Sequence, residues 1–124
     1  MPTTADEIRL TIPGSPDFHR VAHLVVGGLA ARLELTVDDL EDLELALDAL
    51  LSRTDGSHDV TVSMTVREGE LVTCVGPLPS DALDEIEHDT DDRLGVRRVL
   101  EASVDDVRVD GSTVRLTKRV AARG

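Results

Sequence analysis

The sequence predicts an α+β sandwich in which helices pack on one face of a mixed, mostly antiparallel sheet. Three observations lead to this fold class. Stretches with apolar residues at helical spacing occur early in the chain, alternating stretches occur in adjacent pairs joined by turns, and 40% of the 124 residues are hydrophobic. That content is enough for one core. We therefore expect residues 1–124 to form a single domain with the order β-α-α-β-β-loop-α-β-β.

The first strand and the first helix are predicted from the first quarter of the chain. Residues 7–12 read E-I-R-L-T-I, which is the alternation of a half-buried strand. Pro13 and Gly14 end that strand, and Ser15 followed by a proline is typical of a helix start. The first helix is predicted to run to about Arg32. Its apolar residues recur at helical spacing: Phe18, Val21, Ala22, Val25, Leu29 and Leu33.

Two adjacent glycines, Gly27 and Gly28, fall in the middle of this predicted helix. Each lowers helix propensity by about 1 kcal/mol relative to Ala. Close packing of another helix inside the monomer is one explanation for them, and a homodimer face on the first helix is the other.

The second helix has a clear start signal. Thr36 is followed three residues later by Asp39, a capping box with an acid in place of the usual Glu. The helix is predicted to end near Ser52. One apolar stripe runs along it: Leu40, Leu43, Leu47, Leu50 and Leu51.

Two hairpins are predicted from alternation and turn chemistry. Residues 54–58 read T-D-G-S-H, a turn, and D-V-T-V-S-M-T-V-R follows at 59–67 as the clearest strand. Glu68-Gly69-Glu70 turns the chain into L-V-T-C-V. A second hairpin joins residues 104–109 to residues 113–120 across Asp110-Gly111.

The segment between the hairpins is interpreted as a surface loop or lid from Gly76 to Asp92, with Pro77 and Pro79 at its start. The alternative to a loop at residues 81–87 is a short helix. A short amphipathic helix is predicted after it. Its apolar residues are Leu94, Val96, Val99 and Leu100.

Composition excludes several function classes. A net charge of −12 repels phosphate backbones and anionic lipids, and only 1% of residues are aromatic, so neither nucleic acid nor a membrane surface is an expected ligand. Cys74 is the only cysteine; it lies in an apolar strand, where a buried inert thiol is expected. The chain shows no secretory leader and no run of about 18 apolar residues, which predicts a cytoplasmic protein.

Four stretches, taken in order, resemble the RsbW/SpoIIAB group of anti-sigma factors in the histidine-kinase-like ATPase superfamily. They are E-I-R-L-T-I-P at 7–13, T-V-D-D-L-E-D-L-E-L-A-L-D-A-L at 36–50, R-L-G-V-R-R-V-L-E-A-S-V-D-D-V at 93–107 and G-S-T-V-R-L-T-K at 111–118. The resemblance implies a Bergerat-type two-layer sandwich. It also implies an ATP-dependent serine kinase that acts on an anti-anti-sigma partner.

The residues that this resemblance assigns to ATP chemistry are altered on the second helix. The family places a Glu general base there and, four residues on, an Asn that holds Mg²⁺; this chain has Ala49 and Arg53. Ala cannot accept a proton, and the permanent charge of Arg repels a divalent metal. Asp48 lies one residue early, rotated by about 100° around the helix.

The glycine motifs of the family are altered as well. In C-V-G-P-L-P-S-D, Pro77 stands where an Asp would read adenine, and Pro79 and Asp81 stand where glycines would be. The second glycine motif keeps Gly95 but has Arg93 at the other position. The remnant nucleotide site implied by the resemblance consists of Asp48, Ser52, Arg53, Arg93, Gly95 and Thr113. No catalytic residue and no metal ligand are assigned.

We therefore expect an anti-sigma-factor-like regulatory protein that acts by protein–protein binding and needs no cofactor. The implied partner is a sigma factor or an anti-anti-sigma antagonist of the STAS type, contacted through the first helix. The alternative is an active serine-protein kinase that binds ATP or ADP through a rebuilt site, with Arg53 or Arg93 pairing with phosphates.

Two further hypotheses concern smaller features. His19 and His23 stand four residues apart and share a helix face, which would suit a metal if further ligands joined them. The acidic segment at 81–92 is interpreted as a solvated loop, with docking of a basic partner as the alternative.

Overall fold

A computed structural model describes residues 7–33, 35–54, 56–88 and 95–120. The order of elements is β1 (Glu7–Pro13), a 3-10 turn (Pro16–Phe18), α1 (His19–Leu33), α2 (Val37–Leu51), β2 (Asp59–Arg67), β3 (Glu70–Gly76), α3 (Ser80–Glu87), α4 (Val96–Ser103), β4 (Asp106–Asp110) and β5 (Thr113–Arg119). The α+β class predicted from the sequence is confirmed.

The five strands form one sheet in the order β1-β2-β3-β5-β4, and every neighbouring pair is antiparallel. The described sheet is therefore antiparallel throughout instead of mixed. β1 and β2 are separated by two helices of 15 residues each, an out-and-back path that returns the chain to the end at which β1 stopped. The backbone N–H of Gly14 donates to the carbonyl of His58 at that end, at 3.1 Å.

The start of each long helix can be compared with its sequence signal. The Thr36 hydroxyl accepts a hydrogen bond from the Asp39 backbone N–H at 3.0 Å, so the predicted cap of α2 is confirmed. Ser15 makes no side-chain cap, and the chain passes through a 3-10 turn before α1 begins at His19. The predicted first helical residue, Pro16, is thus three residues before the start of α1.

Turn chemistry correctly located both hairpins. Glu68 and Gly69 have φ values of 53° and 80°, and positive φ at both loop residues is what a tight primed turn requires. Gly111 has a φ of 64° at the β4–β5 turn. The β2–β3 register pairs Arg67 with Glu70 across its turn.

The interpretation of the whole 76–92 segment as a loop is wrong for residues 80–87, which form α3. Ala82 and Ile86 lie one turn apart and are both buried, at 4% and 0% exposure. Burial of this stripe against the core stabilises a helix that also carries four acidic side chains, Asp81, Asp84, Glu85 and Glu87. Residues 89–92 of the acidic segment lie outside the described part of the chain.

The core lies between the helical layer and one face of the sheet. Alternate residues of the strands point toward the helices, and α2 supplies the centre of the opposing layer. The fully buried large side chains are Leu43, Leu47, Leu50, Leu51, Leu71, Ile86, Leu100, Leu116, Val26, Val60, Val75 and Val96. Cys74 falls on the other register of β3 and is only half-buried, because that face of the sheet has no described helix over it.

Gly27 and Gly28 do not serve close packing within the described monomer. A Cβ added at either position would meet no atom within 4 Å, which contradicts the helix-packing explanation. None of the described helices is long and apolar enough to cross a membrane.

Candidate functional site

Arg53, which the resemblance places at the position of the family's metal ligand, lies two residues beyond the end of α2. Its backbone N–H donates to the carbonyl of Leu50 at 3.0 Å, which continues the last helical turn. Its Nε and Nη2 donate to the two carboxylate oxygens of Glu85 on α3, at 3.2 and 3.3 Å. About a third of each side chain is exposed, 34% for Arg53 and 32% for Glu85. A two-pronged Arg–carboxylate pair of this kind fixes both groups in direction as well as distance.

Glu85 also connects α3 to the start of α4. The backbone N–H of Val96 donates to Oε2 of Glu85 at 3.5 Å, next to Gly95, the N-cap of α4. A carboxylate is favoured there because the first N–H groups of a helix have no partner in the helix itself. In return, Nη1 of Arg97 donates to the carbonyl of Ile86 at 2.6 Å. Arg53, α3 and the start of α4 are thus joined by charged hydrogen bonds.

Asp48 lies on a different side of α2. Its side chain is 60% exposed, and its Oδ1 lies 2.6 Å from Nε2 of His23 on α1. Ser52 uses its hydroxyl to donate to the carbonyl of Ala49 at 3.1 Å. The structure therefore does not bring Asp48 and Ser52 to the Arg53 guanidinium, and Ala49 itself is half-buried and has no polar side chain.

Thr113 sits at the sheet end that faces the segment after β3. A Cβ added to Gly76 would lie 2.7 Å from Oγ1 and 2.9 Å from Cα of Thr113, so only glycine permits this approach. The backbone N–H of Leu78 donates to the carbonyl of Ser112 at 2.9 Å. This segment, which the resemblance assigns to adenine recognition, is thus tied to the β4–β5 turn. Arg93 lies outside the described residues.

A small cavity of about 170 Å³ lies beside the same segment. Its lining residues are Thr54, His58, Val60, Pro77, Leu78 and Pro79. The Thr54 hydroxyl hydrogen-bonds with the carbonyls of Gly14 and Leu51, at 2.7 and 2.8 Å. Pro77 and Pro79 carry no polar side-chain atom, so neither can accept a hydrogen bond from an adenine amino group.

The two histidines of α1 do not form a metal centre among the residues that the structure describes, since no group of three His, Cys, Asp or Glu side chains there could hold an ion. His23 instead lies between two carboxylates of α2. Its Nδ1 is 3.4 Å from Oε2 of Glu44, and its Nε2 contacts Asp48. The Nε2 of His19 is buried, and none of the described residues forms a hydrogen bond with it.

Burial disfavours the charged form of His23, but hydrogen bonds and charge attraction from Asp48 and then Glu44 outweigh it, and the pKa of His23 is raised above 6.5. The imidazolium is therefore favoured in the folded protein relative to the unfolded chain. Its stabilising contribution is complete below pH 6.5, the ordinary value. That contribution is lost as the pH rises through the higher pKa of the folded state.

His23→Gln is expected to lose more stability relative to the native protein near pH 5.5 than near pH 8.5, values on either side of the ordinary His pKa of about 6.5. Urea unfolding at both pH values measures the difference. Asp48→Asn removes the nearer carboxylate and should reduce the pH dependence. An equal loss of stability at both pH values would show that the His23 charge does not join α1 to α2.

Arg53 and Asp48 were predicted from the sequence as site residues, but the side chains that pair with them were not. Glu85 was assigned to an acidic loop, and the short helix over residues 81–87 that the structure shows was only the alternative. Lys118 was noted only as part of the closing hairpin. It contacts Asp42 at 3.2 Å, the carbonyl of Ser103 at 3.3 Å and, more distantly, Asp39 at 3.7 Å.

The chain is similar to several proteins named RsbW. No family model matches it. The serine-protein kinase RsbW of Bacillus velezensis is 28% identical over an alignment of 145 positions, which covers 95% of this chain and 88% of the relative. The Bacillus subtilis protein of the same name is 27% identical with the same coverage. That of Halalkalibacterium halodurans is 36% identical over 55 residues, 44% of this chain and 34% of the relative.

One solved structure gives the fold. A solved chain that contains the RsbU and RsbW domains of a Mycobacterium tuberculosis protein superposes on 93% of this chain, with a TM-score of 0.69 and 17% identity. The chain spans 32% of the length of that solved chain. The fold is that of the histidine-kinase-like ATPases. The resemblance to RsbW-type anti-sigma factors is confirmed by relatives that align over nearly the whole sequence.

Proposed function

We propose that this chain is an anti-sigma-factor-like regulatory protein that acts by binding another protein and does not transfer phosphate. The observation that carries this proposal is the Arg53–Glu85 pair. Arg53 stands where the family resemblance requires a neutral Mg²⁺ ligand, and both oxygens of Glu85 occupy its guanidinium, at 3.2 and 3.3 Å. A positive group held in this way offers a metal ion no lone pair.

The neighbouring side chains also do not fit a Mg-nucleotide. Ala49 provides no general base, and Asp48 is held by His23 on the α1 side of the helix. Pro77 provides no acceptor for adenine. Because the general base, the metal ligand and the base-reading carboxylate are altered together, we expect the chain to need no cofactor and to transfer no phosphate.

The proposed partner is a sigma factor or a STAS-type anti-anti-sigma antagonist, as the resemblance implies. The net charge of −12 favours a partner that presents a basic surface. The competing proposal is an active serine-protein kinase. It is favoured by one observation, the similarity of the chain to relatives that are named serine-protein kinase RsbW.

Calorimetric titration with ATP and ADP, with and without Mg²⁺, tests the choice. We expect no binding tighter than about 100 μM, a free energy of roughly −5.5 kcal/mol. The Bacillus subtilis relative provides the positive control. Tighter binding by this chain, lost in both Arg53→Ala and Asp48→Ala, would support the rebuilt-site kinase and contradict the proposal.

A second measurement addresses the partner. Binding of purified sigma factors and STAS-type proteins, followed by biolayer interferometry, should occur without nucleotide and should be unchanged by added Mg-ATP. Arg53→Ala should leave it intact. A requirement for ATP, or transfer of its γ-phosphate to the STAS-type protein, would establish the kinase alternative instead.

A further inference from the structure

A groove lies on the outer side of the α1–α2 pair. It is lined by His23 from α1 and by Glu41, Glu44, Leu45 and Asp48 from α2, and its volume is about 380 Å³. We refer to it as the α1–α2 groove. Its volume lies within the range of about 300–1,000 Å³ that is usual for binding pockets.

An apolar side chain is exposed in this groove. Leu45 lines it and is 55% exposed. Gly27 lies one turn beyond His23 on the same helix face, and a Cβ there would meet nothing within 4 Å. The α1 side of the groove is therefore open to an approaching backbone.

The groove is also negatively charged. Among the described residues, the one basic side chain that contacts its carboxylates is His23, which reaches Glu44 and Asp48. Glu41 is exposed. Three carboxylates around an exposed leucine attract a ligand that combines an apolar side chain with Lys or Arg.

We propose that the α1–α2 groove docks a basic amphipathic helix of the protein partner, an inference that rests on the proposed function. An apolar side chain of that helix packs against Leu45. Its flanking Lys or Arg side chains face Glu41, Glu44 and Asp48. This is the helix-in-groove mode of recognition, in which apolar anchors recur at helical spacing.

A second copy of the chain fits the groove less well. In a two-fold symmetric contact the same patch meets itself, so the carboxylates of one groove would face those of the other. Like charges brought together at such an interface repel. The net charge of −12 adds to this repulsion.

The test uses a fluorescein-labelled synthetic helical peptide with leucines at helical spacing flanked by Lys and Arg, and a control peptide with Glu in place of Lys and Arg. Fluorescence anisotropy should report binding of the first peptide only, weakening as salt is added. Leu45→Ala should weaken binding by at least about tenfold. The matched control is Val37→Ala, another exposed apolar position on α2 at 70% exposure, where a change below about twofold is expected.

Charge reversal separates the groove from general attraction. Glu41→Lys should weaken peptide binding by about tenfold or more, whereas Asp110→Lys, the same change on the exposed β4–β5 turn, should alter it by less than about threefold. Equal losses in the two variants, or no peptide binding, would overturn the inference. So would sedimentation equilibrium showing a dimer of the native chain that Leu45→Ala dissociates.

The outcome is separable from that of the proposed function. Tight Mg-ATP binding would remove the proposed function while leaving the peptide result as it stands. Loss of the peptide effect with nucleotide binding still absent would overturn only the groove.

Discussion

Ile86→Ala is expected to lower the free energy of unfolding by about 2–5 kcal/mol. Ile86 is fully buried at 0% exposure, and it is the deepest anchor of α3, an eight-residue helix whose only other buried side chain is Ala82. Truncation leaves a cavity under a helix that is too short to persist without packing. Urea unfolding monitored by circular dichroism gives the change.

Ile86→Val provides the matched control because it removes one methylene and should cost about 0.5–1.5 kcal/mol. Amide hydrogen exchange shows whether α3 itself is loosened. Faster exchange in α3 of Ile86→Ala is expected because the helix loses its most buried side chain. The Glu85–Arg53 pair depends on the position of that helix. A loss below about 1 kcal/mol would mean that α3 contributes little to the core.

The parts of the fold that the sequence predicted are those with local signals. The β2–β3 hairpin follows from alternation and from Glu68-Gly69, whose positive φ values suit a primed turn. The start of α2 follows from Thr36 and Asp39, three residues apart. In each case the decisive contacts are within a few residues of one another, so pattern and structure agree.

The wrong predictions concern residues whose structure depends on burial in the folded core. Ser80–Glu87 begins after two prolines and is rich in acids, so its local pattern resembles a loop, and only the burial of Ala82 and Ile86 against the core makes it a helix. Cys74 was expected to be buried because its strand is apolar. It is half-buried because it faces the side of the sheet away from the helices.

The candidate site could be predicted only as a set of positions. Arg53 was located by its spacing from Ala49, but its partner Glu85 lies 32 residues away. Asp48 was located beside Ala49, but its contact with His23 spans 25 residues. Which charges meet depends on how α1 packs on α2 and on where α3, which packs against α4 and β4, lies relative to Arg53, and no periodicity encodes that.

The two outer sides of α2 therefore have separate chemistry. The side that faces α1 carries Asp48 in the α1–α2 groove. Arg53, just beyond the end of α2, pairs instead with Glu85 on α3. Variants at the groove and variants at the Arg53–Glu85 pair share no contact and should be additive in stability. Variants of Glu41 and Leu45 can thus test partner docking without altering Arg53, whereas Asp48 belongs both to the groove and to the rebuilt nucleotide site of the kinase alternative.

Lys118→Met is the second change with a large expected effect, a loss of about 1.5–3 kcal/mol in the free energy of unfolding. The Lys118 side chain is only 12% exposed, and its Nζ contacts Asp42, Asp39 and the carbonyl of Ser103 at the end of α4. It joins β5 to the helical layer through the start of α2. Met retains the apolar stem but leaves these acceptors without their cation, and Asp39 is itself only 18% exposed.

A surface pair supplies the control for this prediction. Arg108 contacts Asp106 at 2.9 Å with 74% of its side chain exposed, so Arg108→Met should cost less than about 1 kcal/mol. A double-mutant cycle of Lys118→Met with Asp42→Asn, measured by urea unfolding, should show positive coupling between the two sites. Salt at 1 M should remove the effect of Arg108→Met but leave most of that of Lys118→Met, because a largely buried pair is weakly screened. Equal small losses in the two variants, with no coupling to Asp42, would mean that apolar packing alone holds β5 against α2 and α4.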